Sequence, residues 1–194
     1  MAFAILRAEK LKTMGNIGGS LAHNYRTIDT PNANPSQTPN NFHSLKDSEA
    51  VKAAISERLP EKRRSDAVLC VEYMITASPE WQGWNDERQN EYFKQAVDWL
   101  EQRHGKHNVV ATSIHRDETT PHLIAYVVPL DQDTGKLNAK KFLGGKAKLA
   151  EMQSSFSDHV KNLGLERGVE GSKAKHTRIK EYYSKVNEPT PQIR

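Results

Sequence analysis

A chain of 194 residues with 36% hydrophobic content is long enough for one filled core with generous polar loops. Its 28 Lys and Arg against 24 Asp and Glu give a formal charge of +4, too small an excess for an unstructured basic tail but one that favours a polyanionic partner. One cysteine, Cys70, excludes a disulfide framework, and its place inside "AVLCVEYMI" marks a buried structural thiol. The opening "MAFAILRAEK" is too short an apolar run for a signal peptide, and no stretch approaches a membrane span, so a cytoplasmic protein is expected.

In chain order, Ala2 to Leu6 reads as a first strand. "KTMGNIGGSLAHNYRT" has Gly15, Gly18 and Gly19 ahead of Ser20, which predicts a flexible loop and then a short helix, capped by Ser20, that holds His23. From Asp29 to Asn41 three prolines and four asparagines make a long loop, a length more often functional than idle. Asp47 to Leu59 reads as a helix and Ala67 to Thr76 as a buried strand. Asn85 or Asp86 caps an amphipathic helix with Tyr92, Phe93, Ala96, Val97 and Leu100 at helical spacing, ended near Gly105. Two strands follow, Asn108 to His115 and His122 to Pro129, then a turn at "DQDTGK", a helix over "AKLAEMQSSFSDHVKNLG" and a basic helix around "KAKHTRIKEYYSKV". The order implies an α+β fold: an antiparallel sheet with helices packed on it.

The six residues between the two strands lie in "HRDETTPH". If His115 ends one strand and His122 begins the next, their Cβ atoms face each other at roughly 4.5–5.5 Å. Alternation puts Ala111 and Ser113 on the face of His115, and Ile124 and Tyr126 on that of His122, while Ile114, Leu123 and Val127 point to the opposite, apolar side. Two imidazoles and an oxygen from Glu118 or Asp117 suit a divalent cation with open positions. The plainer alternative is a polar hairpin tip with solvated histidines.

"GNIGGSLAHNYR", "NPS" at Asn34 to Ser36, "DAVLCVEYMIT", "HRDETTPH" and "AKHTRIKEY" occur in an order that resembles the relaxase domains of the MobV family of plasmid mobilisation proteins. The resemblance spans nearly the whole chain. It implies one relaxase domain over residues 1–194, of the antiparallel-sheet histidine-hydrophobe-histidine endonuclease type and the N-terminal part of a longer protein. The implied activity is metal-dependent nicking of one strand at a plasmid transfer origin, with covalent retention of the 5′ end. The implied partners are origin DNA and, through a further C-terminal region, the conjugation coupling machinery. The wider class supplies a third histidine two residues after the first of its second strand, where this chain has Ile124. Glu118 is therefore the expected third ligand, and a carboxylate in that place favours Mn²⁺ or Mg²⁺.

The resemblance maps the attacking group onto His23, and Tyr25, two residues on, is the alternative, as many related relaxases attack with tyrosine. Residues two apart on a helix do not share a face, so at most one of them points at the metal. Arg26 can share the face of His23 and neutralise phosphate. Glu72 interrupts a buried run, and orients His23 unless its strand is half exposed and the carboxylate faces water. Asn34, Ser36, Arg63, Arg64, Lys173, Lys175, His176, Arg178 and Lys180 are the candidate DNA contacts, while Trp81 and Trp84 read as packing aromatics. Two other functions remain open on the sequence: a DNA-binding module of the same fold that does not cut, and a metallohydrolase of a small substrate.

Overall fold

The computed structural model describes residues 1–168. The basic segment that holds Lys173, Lys175, His176, Arg178 and Lys180, with its expected helix, lies outside the described residues.

Among the described residues, five strands form one antiparallel sheet in the order β1 (Ala4–Leu11), β3 (Cys70–Ala77), β5 (His122–Val127), β4 (Val109–His115), β2 (Phe42–His43). Of the three inner strands, β3 and β5 are buried throughout, which is why they read as unbroken apolar runs rather than alternating ones. On one face pack α1 (Met14–Asn24) and α2 (Ser48–Arg58), whose Ile17, Leu21, Val51 and Ile55 meet Cys70, Met74, Ile124 and Tyr126. On the other pack α3 (Arg88–His104) and α5 (Gly145–Val160), whose Phe93, Trp99 and Phe156 meet Tyr73, Ile75 and Leu123. A short α4 (Ala139–Leu143) precedes α5. The α+β expectation holds, with helices on both faces. Trp81 and Trp84 pack against Tyr92, and their indoles donate to Leu163 O and Ser78 O, each at 3.0 Å, so both are packing aromatics.

Several boundaries differ from the sequence reading. The first strand runs Ala4–Leu11 rather than from Ala2 to Leu6, because its charged residues Arg7, Glu9 and Lys10 continue a ladder with β3. The buried strand begins at Cys70, not Ala67. β2 and α4 went unpredicted; two and five residues are too few to display a period.

The largest correction concerns the glycines, which lie inside α1. Thr13, not Ser20, is the cap: its Oγ1 accepts from Asn16 N at 3.0 Å. Ile17 and Leu21, four apart and fully buried, anchor the helix, so tertiary packing overrides poor propensity. Gly19 faces open space, with nothing within 4 Å of a would-be Cβ. Gly19→Ala should stabilise the fold by about 1 kcal/mol and raise the melting temperature by about 2–4 °C in a thermal scan. A lower melting temperature would mean that the helix needs glycine there.

Candidate metal centre and active-site cleft

His115 closes β4 and His122 opens β5, and the two are Cα partners in the ladder, as the alternation required. His115 Nδ1 lies 2.9 Å from His122 Nε2. The other nitrogen of each ring is engaged by a backbone carbonyl: His115 Nε2 donates to Asn24 O at 2.9 Å, and His122 Nδ1 to Thr120 O at 3.1 Å. A neutral imidazole has a single N–H, so these bonds fix both tautomers and direct two lone pairs toward each other. Burial pushes the His122 imidazolium down to about 3, and burial with the neighbouring His122 depresses His115 well below its ordinary value. Protonation near neutral pH therefore does not relieve the opposition, whereas a shared cation does. Glu118 completes the set: ligand atoms of His115, Glu118 and His122 all lie within 4.8 Å of one another. Two imidazoles and a carboxylate fit a divalent ion.

Asp117, the alternative ligand, is used elsewhere. Arg26 Nε and Nη2 bind its two oxygens at 2.9 and 2.7 Å, and Nη2 also meets Glu118 Oε1 at 2.7 Å. Burial pushes the Asp117 carboxyl up, but the Arg26 hydrogen bonds and charge outweigh it and hold it well below the carboxylate range. Arg26 Nη1 donates to His23 O at 3.1 Å, so every nitrogen of the guanidinium has a partner within the protein. Its backbone is also unusual: Arg26 is the non-glycine residue with positive φ (+56°) among the described residues. Arg26 N donates to His23 O and Thr27 N to Ala22 O, the pair of hydrogen bonds that ends a helix where glycine is normally found. An arginine there costs on the order of 1 kcal/mol, offset by the buried ion pairs its side chain reaches.

The long loop grips the same turn. Asp117 O accepts from Asn34 N at 2.7 Å, Asp117 Oδ2 from Thr38 Oγ1 at 2.9 Å, and Asn41 Oδ1 from Arg116 N at 2.7 Å. The Asn34 side chain accepts from Ser36 N and Oγ, a local turn that shapes the "NPS" stretch. Arg63 and Arg64 are exposed and stand before β3, at the end away from the metal hairpin, where Arg64 pairs with Asp66.

Above the sheet, α1 crosses from Glu72 to the metal pair. Ser20 Oγ hydrogen-bonds Glu72 Oε1 at one end and Asn24 O meets His115 at the other, with His23 between. His23, Glu72 and His115 line one cleft of about 550 Å³, together with Gly15, Gly19 and Lys10. Glu72 does not face water: it is 7% exposed. Burial raises its carboxyl to about 7, the Ser20 hydrogen bond opposing and the Glu9 carboxylate adding. A folded-state value above the unfolded one means that the native state binds the extra proton, so this group's cost to stability is absent below about pH 4.5 and complete above about pH 7. Glu72→Gln should thus be more stable than the parent at pH 8, with the difference fading toward pH 5 in urea titrations. Equal stability at both would place Glu72 in a solvated setting.

Tyr25 points elsewhere. Its hydroxyl donates to Leu45 O at 2.7 Å, its ring stacks on His43 at 4.2 Å, and it lines a different surface hollow with Gly18 and Ala22. His43 escaped the sequence reading. It stands on β2 beside Ser113, bonded to its Oγ at 2.7 Å, and its ring centroid is 6.1 Å from that of His115. A third imidazole thus reaches this face from the edge strand, while Ile124 packs into the apolar layer. Asn24 and Ser20 were missed as well; a buried amide and a hydroxyl on a helix have no sequence signature.

The "65 kDa protein" of Zymomonas mobilis is 36% identical over 193 residues, covering 95% of this chain and 33% of that protein. Plasmid recombination enzyme type 3 of Staphylococcus aureus is 32% identical over 208 residues, covering 96% of this chain and 48% of the enzyme. The chain thus spans between a third and a half of these relatives. Among solved structures, the Mn-bound MobM relaxase domain (MOBV) on pMV158 oriT DNA superposes with a TM-score of 0.79 at 31% identity, over 94% of this chain and 99% of that domain. The match to the plasmid recombination enzyme family (Mob_Pre) runs over residues 1–184, and the chain belongs to that family.

Proposed function

We propose that the chain is the nicking domain of a relaxase: with a divalent ion it cuts one strand at a plasmid transfer origin and keeps the 5′-phosphate on His23. The observation that carries this reading is the cleft shared by His23, Glu72 and His115, from which the Tyr25 hydroxyl is withdrawn. A nitrogen of neutral His23 attacks phosphorus, the P–N bond forms and the P–O3′ bond breaks. The departing 3′ oxygen takes up a proton from solvent, and the imidazole N–H proton passes to Glu72. A carboxyl near 7 is partly ionised at neutral pH and suits that acceptance. An ion held by His115, Glu118 and His122, Mn²⁺ or Mg²⁺, supplies positive charge at the scissile phosphate.

Arg26 then acts through Glu118, fixing the carboxylate beside the imidazoles, since binding phosphate would require it to give up buried pairs. Asn34, Ser36, Arg63, Arg64 and the basic residues after 168 are assigned to the DNA backbone, which fixes register without reading bases. The reaction takes place in the cytoplasm; among the described residues no helix is long and apolar enough to cross a membrane.

The test is incubation of the supercoiled replicon that encodes the chain with Mn²⁺. Relaxed circles with protein on a single 5′ end, absent with chelator, are expected, and the nick position gives the cleavage site. Tight binding without nicking in Mn²⁺, Mg²⁺ or Zn²⁺ would leave a binding module, and no binding would leave a small-substrate hydrolase.

A further inference from the structure

Glu72 stands between two cross-strand neighbours, Glu9 on β1 and Tyr126 on β5. A like charge directly opposite and a buried site both work against a carboxylate here. What opposes them is a chain of two hydroxyls. Ser20 Oγ is hydrogen-bonded to Glu72 Oε1 and also lies 2.7 Å from Tyr126 Oη. Ser20 has one proton, and giving it to the carboxylate leaves Oγ to accept from Tyr126. Tyr126 is buried, and burial with the nearby Glu72 charge keeps its phenol protonated, so it remains a donor. The order is therefore fixed: Tyr126 donates to Ser20, and Ser20 to Glu72.

We propose that Ser20 and Tyr126 are positioning residues for the proposed strand transfer, a hydroxyl relay that pins one oxygen of Glu72 and so aims its other oxygen at the cleft occupied by His23. Ser20 and His23 are three residues apart on α1, on the same face, so one rigid helix holds both the attacking imidazole and the hook for its carboxylate. Glu72 itself rises from the inner strand β3, on which α1 rests. The relay thus fixes the helix-to-sheet spacing at the place where the proton moves. The proposal rests on the reading of Glu72 as acceptor of the His23 proton.

The experiment measures single-turnover adduct formation on a labelled oligonucleotide that spans the cleavage site mapped on the supercoiled replicon, at saturating Mn²⁺ and over a range of DNA concentrations. Ser20→Ala should lower the maximal rate by about 10-fold or more, a part of the 10²–10⁴-fold typical of a full acid–base group, with half-saturation by DNA unchanged. Ser20→Thr, which keeps the hydroxyl, should recover most of the rate. Tyr126→Phe should be slowed in the same sense but less. The double variant should be no slower than Ser20→Ala, because Tyr126 acts only through Ser20. A merely structural role predicts a lower melting temperature with the maximal rate intact, or additive losses in the double variant, and either result overturns the relay. If Ser20→Ala does not fold, Tyr126→Phe decides: a parental maximal rate overturns the relay. Glu72→Gln separates the two levels. A Glu72→Gln variant that reacts at the parent rate removes the acceptor reading and the relay with it, whereas a slow Glu72→Gln beside a normal Ser20→Ala removes the relay alone.

Discussion

Replacing His23 by alanine is expected to abolish the covalent adduct with nicked DNA, a loss on the order of 10³-fold or more, whereas Tyr25→Phe should retain it. His23 lies in the last turn of α1, whereas Tyr25 is the residue that caps its C-terminus, and the two face different ways. His23 lines the cleft with Glu72 and His115, while Tyr25 is stacked on His43 with its hydroxyl on Leu45 O. Burial also raises the Tyr25 phenol, which disfavours the phenolate needed for attack. The two linkages differ in chemistry. Acid protonates the nitrogen leaving group of a phosphoramidate, so the parent adduct should fall apart in mild acid; an aryl phosphate ester resists the same treatment. The readout is the retained label after acid exposure of parent, His23→Ala and Tyr25→Phe adducts. An acid-stable adduct lost in Tyr25→Phe would transfer the nucleophile to tyrosine.

The neighbouring carboxylates should separate just as clearly. Glu118→Ala removes a donor that lies with the imidazoles within 4.8 Å, and Mn²⁺ affinity by calorimetry should drop by about 100-fold or more, beyond the 10–100-fold typical of losing an outer partner. Its fold should persist, because Arg26 keeps both bonds to Asp117. Asp117→Ala should do the reverse. It leaves a buried guanidinium with one carboxylate and removes the grip of Thr38, at a cost of roughly 3 kcal/mol in urea unfolding, while metal affinity falls less. Unchanged Mn²⁺ affinity in Glu118→Ala would shift the third ligand to Asp117 or water.

The metal hairpin was legible in the sequence because its information is local. Strand alternation and a six-residue connection sufficed to pair His115 with His122, and the pairing is the observed register. Glu118 over Asp117 followed from the resemblance; the physical reason, that Arg26 takes both Asp117 oxygens, needs residues 91 apart and is invisible to spacing. The glycine-rich stretch misled for a related cause. Propensity favours a loop, but Thr13 capping and the burial of Ile17 and Leu21 against the sheet decide for helix. His43 stands on a two-residue strand without a period, and the Ser20, Glu72, Tyr126 chain joins three elements that only the fold brings together. The prolines and asparagines mark the long loop in the sequence, but that its amides and hydroxyls turn inward to hold residues 116 and 117 depends on contacts across the fold.

Mass spectrometry of the covalent product locates the bond between protein and DNA directly. Trypsin leaves His23 and Tyr25 together in the peptide from Thr13 to Arg26, so fragment ions locate the attached nucleotide between them. Digestion of the Mn²⁺-dependent adduct to its first nucleotide, kept at neutral to basic pH, should place a single nucleotide phosphate on His23. The nucleotide on Tyr25, or relaxed circles with no modified peptide at all, would contradict it.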